Sequence, residues 1–561
     1  MKNSQKIFAT TALLGGTYFI YKNRQKKKAD SIAWKKSLFE QMHRSYGERQ
    51  VYILGDGLEN LAAAAFLIHD VNFPAENIHF YHDTEKPSPA DFGAPNEGFS
   101  LSVPYTIYAD YSQNFLDILD LLPSTTHENW TMEEEVLRYG KSHPLLFDAR
   151  LIGEDGKILK AEFLGLNPND RASIYGIVTT PEMLIEKRAL NEWFGPHFFE
   201  TNFWALWQST FGVQKWSSLL SFKRRLHRML ELCIQLDSPK NILQTEHSKT
   251  DSVLRPLHQF LLDKGVRFHE ESAVNLFFTE EKSARVSEIL LDSGMTLLLN
   301  KGDLCFITTD SFLHTVSYGS LEEPAKERTP TLFPKTLWTS ISSPSVSLGN
   351  PEAFFGNTAE TCTTSFTITL KNDDFLKFLE NFSGSLTGHG GLMSFKNSRW
   401  NMSISIPPQP YFKNQGNTAV LWGYGITPKI SGNFVHKPLW ECSGQEILEE
   451  LFGHLQLTND EKKHFSAQVL SAIPANLPYA TSAVLPVSLE NSAELIPSES
   501  ENFAVLGTFA EISSEVAGTD EHLVYGARKA VYTLMGLEGV LTPANNQNIK
   551  FVLAALKAAY R

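Results

Sequence analysis

The stretch from Val51 to Asp70, "VYILGDGLENLAAAAFLIHD", constrains this chain more than any other. "QVYILGDG" reads as a strand running into a glycine turn. "LENLAAAAFLIHD" reads as a helix whose alanine face can lie close against a sheet. A second strand follows at "NIHFYHD", and together these make a βαβ unit. Gly55 and Gly57 permit the tight turn and close backbone approach that a pyrophosphate requires, and the helix points its first amides at the bound anion. Asn60 takes the third position of the pattern, where a small residue lets helix meet strand. Asp83, past the second strand, is the acid expected to hold a ribose hydroxyl. Asp56 argues the other way: a carboxylate between the two glycines repels a pyrophosphate unless it turns to solvent. A glycine turn that serves packing alone is the competing reading.

At 561 residues the chain exceeds one simple core, so two to four packed units are expected. The net charge of −13 excludes a nucleic-acid partner, because no basic surplus exists to displace counterions. Cys233, Cys305, Cys362 and Cys442 lie far apart without a C-x-x-C pair, as in scattered core thiols. Ile7 to Tyr21 carries no charge and is bounded by Lys6 and by the basic run Lys22 to Lys28. That pattern predicts an uncleaved N-terminal membrane anchor with the body on the cytoplasmic side. No internal repeat is present, which excludes solenoids and propellers. From Asp110 to Phe222 the chain reads mainly helical and aromatic. Strands return in "KGDLCFITTDS", "TCTTSFTITL", "RWNMSISI" and "TAVLWGYGI", and helices in "SGQEILEELFGHL", "EHLVYGARKAVYTLMGL" and "NIKFVLAALKAAY".

Beyond the turn, "FFETNFWALWQSTF", "QPYFKNQGNTAVLWGYGITPKISGNFVHKPLWECSGQEILEELFGHL", "LPYATSAVLP" and "ENFAVLGTFAEI" followed by "VYGARKAVYTLMGLEGV" carry a resemblance over nearly the whole body. The chain resembles the oleate hydratases, or myosin-cross-reactive antigens, FAD-containing enzymes that add water across a cis double bond of a fatty acid. The resemblance implies an α/β fold in which a Rossmann-like FAD-binding domain receives an inserted mixed β substrate domain and helical regions. The expected division runs as follows: 1–30 anchor and basic linker; 48–110 first part of the FAD domain; 111–240 helical, aromatic-rich region; 241–325 FAD-domain continuation; 326–485 substrate-binding domain; 486–535 closing segment; 536–561 C-terminal helix. FAD is the implied cofactor, with Gly55, Gly57, Asn60, Asp83, Gly507 and Glu511 as its expected contacts. An unsaturated fatty acid is the implied ligand, and a membrane-associated homodimer the implied assembly.

The residues that carry the family's chemistry are not matched. Where a glycine-rich cover over the flavin is expected, the chain has Lys86 and Pro87, and proline removes an amide donor. Thr106 or Ile107 falls at the position of the water-activating glutamate. Arg225, in "SFKRRLHRML", stands where the protonating tyrosine is expected, and arginine is a poor proton donor. Ser217 and Ser218 replace a His-Ser pair, and Lys249 replaces a glutamine and could pair with a fatty-acid carboxylate. His227, Asp110, Tyr105 and Tyr108 are candidate replacements on paper, each with a structural alternative. "GHGGLM", Gly388 to Met393, reads as a loop. Two expectations follow: an FAD-dependent hydratase of reduced or altered activity, or a catalytically inactive, membrane-tethered relative that binds a fatty acid or a partner protein.

Overall fold

The computed structural model describes residues 48–82, 91–101, 106–280, 284–309, 315–326, 337–341, 348–389, 391–498, 500–537 and 548–560. Five strands run parallel in one sheet: β1 (Val51–Leu54), β2 (Ile78–Tyr81), β3 (Arg267–His269), β4 (Leu304–Thr308) and β5 (Phe503–Leu506). Their spatial order is β5-β4-β1-β2-β3, with Val51 opposite Leu304 on one side and Ile78 on the other. A central parallel strand is covered on both faces, so it reads as an apolar run. Every residue of β4 is buried, as are Val51, Ile53 and Leu54 of β1.

Three helices matter for the site: α1 (Leu58–Val71), α2 (Leu219–Arg228) and α3 (Asp520–Leu534). Helix α1 makes the crossover from β1 to β2. Ala62 to Ala65 are fully buried, and the helix stops at Asn72 in the left-handed region, φ 57°. Arg528 of α3 reaches the end of α1, with its guanidinium 2.9 Å from Asp70 and 2.8 Å from Asp117. The Tyr532 hydroxyl donates to the same Asp70 at 2.8 Å. These bonds lock the C-terminal part of the chain onto its first βαβ unit.

A second, seven-stranded sheet is ordered 317–318, 469–477, 363–370, 419–425, 402–405, 393–395, 151–152. Its pairings are antiparallel except the last, where Ser394 lies beside Leu151 in parallel. The strand Leu151–Ile152 falls in the region read as mainly helical. Two residues are too few to show a period, so only the partner strand reveals it. A hairpin of Asp91–Ala94 with Gly98–Leu101 packs against this second sheet. The Phe99 amide donates to Thr369 Oγ1 at 2.9 Å and the Leu101 amide to Thr367 Oγ1 at 2.8 Å. The aromatic block forms the helix Asn202–Phe211, capped by Thr201, with Phe203, Trp204 and Trp207 buried as core. The four cysteines are buried free thiols.

The membrane expectation is corrected. The proposed anchor, Ile7 to Tyr21, lies outside the described residues, and among those described no helix is long and apolar enough to cross a membrane.

Replacing Arg528 strands the buried Asp70 carboxylate without its cation. Arg528→Met is expected to destabilise the fold by about 3–5 kcal/mol. Urea unfolding followed by far-UV circular dichroism checks this; an unchanged midpoint would remove the network from the account of stability.

Candidate functional site

The carboxyl ends of β1, β4 and β5 converge, as the ends of parallel strands do where open α/β sheets bind ligands. Gly55 follows β1 at φ +121°, and a Cβ there would lie 2.7 Å from the Thr308 methyl. Gly507 follows β5 at φ +108°, and a Cβ would lie 2.4 Å from Thr309 Oγ1. Both positions need glycine for their conformation and for this close approach. Asn60 donates from Nδ2 to the Leu54 carbonyl at 3.1 Å, while its buried Oδ1 has no hydrogen-bond partner. It ties helix to strand.

The N-terminus of α1 is where the resemblance would place the pyrophosphate, because the helix ends there in unsatisfied N–H groups. Gly57 is the N-cap and offers no side chain. Glu59, two residues on, folds back over it: a Cβ on Gly57 would lie 2.6–2.7 Å from the Glu59 carboxylate. Thr308 donates its hydroxyl to Glu59 Oε1 at 3.0 Å. Burial raises the pKa of this carboxyl, and the nearby Asp56 adds to the rise. Asp56 itself stands 3.9 Å from His82 Nδ1. Two acidic side chains therefore crowd the turn, with Glu59 filling the space over Gly57, and as it stands the turn does not fit a pyrophosphate. Sequence reasoning passed over Glu59 because an acid in the first turn of a helix is an ordinary stabilising choice.

Glu511 is ion-paired to Arg224 at 2.7 Å, and Arg224 also holds Glu182 at 3.0 Å. A recess of only about 60 Å³ adjoins them. Asp83, Lys86, Pro87 and Tyr105 lie outside the described residues.

A far larger cavity, about 560 Å³, opens between α2, the seven-stranded sheet, the segment from Thr106 to Phe115 and the start of α3. That is within the range of ordinary small-molecule sites, about 300–1,000 Å³. Phe115, Phe147, Phe211, Met229, Ile406 and Trp422 give it apolar walls. Thr106, Ile107, Arg225 and Lys249 all line it, so the fold gathers the positions singled out for catalysis and substrate. Asp110 and His227 do not line it; Asp110 instead accepts from Asn241 Nδ2 at 2.9 Å. Lys249 is paired with Asp520 at 2.5 Å, which neutralises its charge. The Tyr424 phenol is pushed up to about 12 by burial, and its hydroxyl donates to the Ser209 carbonyl. Arg150 is saturated by neutral groups, donating to Ser394 Oγ at 2.7 Å, Thr210 Oγ1 at 2.8 Å and Ser209 Oγ at 2.9 Å. Glu521 is pushed up to about 8 by burial, even though it accepts from the Asn114 side chain and the Asn114 and Phe115 amides. Its raised pKa favours the protonated carboxyl on the wall near neutral pH.

The parallel sheet, its glycine-turn crossover and this cavity define a two-sheet α/β protein of the Rossmann-like class. The MCRA family model matches residues 48–532, and the chain belongs to that family. It is 27% identical to the linoleate hydratase of Lactiplantibacillus plantarum, with 91% of this chain and 98% of that protein covered. It is 28% identical to the oleate hydratase of Streptococcus pyogenes serotype M49 (strain NZ131), covering 91% and 89%. Reduced UDP-galactopyranose mutase aligns over 90% of this chain and 99% of its own at a TM-score of 0.48 and 12% identity, a likeness too loose to argue from.

Removing the two carboxylates is expected to create room and charge balance for a pyrophosphate. Asp56→Ser with Glu59→Ala should bind FAD roughly tenfold or more tightly than the parent chain, read by quenching of flavin fluorescence. Equal affinities would acquit both acids. Glu521 gives a pH signature: a carboxyl with a raised folded pKa contributes stability below about 4.5, lost as pH rises through about 8. Melting curves from pH 5 to 8 should show the parent chain losing stability relative to Glu521→Gln as pH rises.

Proposed function

We propose that this chain binds an unsaturated long-chain fatty acid in the 560 Å³ cavity, and that its hydratase activity is far below that of its relatives. The observation that carries this reading is that Arg225, which the family resemblance sets at the position of the proton-donating tyrosine, lines the cavity wall. Protonating an isolated alkene needs an acid able to release its proton, and water needs a base to guide it. Each such positioned group contributes about 10²–10⁴-fold. A guanidinium holds its proton, and neither Thr106 nor Ile107 accepts one at neutral pH. The relatives named for linoleate and oleate hydration support the class of ligand. The segment 326–485 is proposed as the part that receives the acyl chain, and a homodimer as the assembly.

Family resemblance argues for FAD, while Asp56 and Glu59 argue that its affinity is reduced, so no step is routed through it. A second reading, FAD-dependent hydration by an altered acid, is favoured by one feature: Glu521 is a cavity-wall carboxyl that stays protonated near neutral pH.

Both readings meet in one experiment. The purified chain is incubated with oleate or linoleate, with and without added FAD, alongside the S. pyogenes relative, and hydroxy acids are quantified by mass spectrometry. Binding without turnover, or turnover reduced by about 10⁴-fold or more, is expected. A rate equal to the relative's would overturn the proposal in favour of the second reading.

A further inference from the structure

Helix α2 carries three arginines, and two of them are matched. Arg224 holds Glu511 and Glu182, and Arg228 lies 2.7 Å from Glu515. Arg225 is different. It is 6% exposed, lines the large cavity, and has a buried Nε without a hydrogen-bond partner. Its Nη1 bonds only within its own helix, to the hydroxyl and carbonyl of Ser221. The Phe211 ring centroid lies 5.0 Å from the guanidinium carbon. Burial lowers its pKa to about 10, and the groups that oppose the fall are Cys233, Tyr111 and Tyr108. Burial pushes each of those three above its ordinary value, so none supplies a negative charge at neutral pH. Arg225 therefore stays charged in a cavity that provides it with no counter-charge.

A buried cation of this kind is costly until an anion meets it. Arg150, the other buried arginine on the wall, is already saturated by hydroxyls and carbonyls, and Lys249 by Asp520. Among the described residues, Arg225 is the cavity-wall cation left with a buried donor that nothing meets, whereas the donors of Arg150 are taken up by neutral groups, so the site takes a single negative charge attached to an apolar body. We propose that Arg225 is the carboxylate-binding residue of this cavity, and that the acid head of a long-chain fatty acid lies against α2 and not at Lys249. The assignment rests on the reading that the cavity holds a fatty acyl chain. It turns the position of a lost proton donor into an anchor. The acid head then sits where a double bond would have to lie for protonation, in keeping with the low hydratase activity proposed above.

The test compares oleate with oleyl alcohol, which shares the chain but lacks the charge, by titration calorimetry on the full chain. The parent protein, Arg225→Gln, Arg225→Lys and Lys249→Gln are measured. Support is a parent preference for oleate of tenfold or more, lost in Arg225→Gln with alcohol affinity unchanged, retained in part by Arg225→Lys and untouched by Lys249→Gln. The proposal is overturned if Arg225→Gln keeps the preference, or if Lys249→Gln removes it. If Arg225→Gln does not fold, the Lys249→Gln and Arg225→Lys results decide on the same criteria. If the parent binds neither ligand, the cavity reading itself falls and takes this assignment with it, an outcome distinct from binding both ligands equally, which overturns the assignment alone.

Discussion

The position of β1 at the centre of an all-parallel sheet is the constraint from which the rest of the structure follows. Hydrogen-bonded to β2 on one side and β4 on the other, it must be apolar on both faces, and its crossover helix must come close. Alanines 62–65 allow that approach. Because the strands are parallel, their carboxyl ends meet at one edge, where Gly55, Thr308, Thr309 and Gly507 crowd within contact of one another. The glycines are needed for this packing whether or not anything binds beside them. The dinucleotide architecture and the dinucleotide function thereby come apart. An architecture needs only close-packed strand ends, whereas a pyrophosphate also needs an open turn without acids, and the Glu59 carboxyl over Gly57 and the neighbouring Asp56 deny it that.

Electrostatics separates the two candidate sites more clearly than shape does. At the glycine turn, acids face the one helix end that attracts anions. In the cavity, a buried guanidinium lies among neutral phenols and a neutral thiol. One site repels an anion and the other lacks one. The two departures accord with the proposed function, fatty-acid binding with little hydration. Glu521, a cavity-wall carboxyl whose pKa burial raises to about 8, is the feature among the described residues that pulls toward retained chemistry.

Much was legible in order along the chain. The βαβ unit announced itself because a covered strand, a glycine turn and an alanine-faced helix each carry a local signature. The family resemblance rested on long blocks of the same kind. Arg225, Thr106 and Ile107 were identifiable as departures, and the fold gathers them on one wall. Other features had no local signature. Leu151–Ile152 is a strand only because Met393–Phe395 lies beside it. Lys249 looked available until Asp520, 271 residues away, was seen to hold it. Glu511 looked ready to face a cofactor until Arg224 was found against it.

The sequence by itself determined the Rossmann-like class and the family, because each depends on residue identity at short range. Only the tertiary structure decided which charges are matched. Pairing is a property of space: Arg224, Arg225 and Arg228 lie within five positions of one another, yet distant acids reach the first and last and leave the middle one facing a cavity. The same holds at the turn, where Glu59 is an unremarkable helix-start acid in sequence. Burial against Gly57 and Thr308 makes it an obstacle.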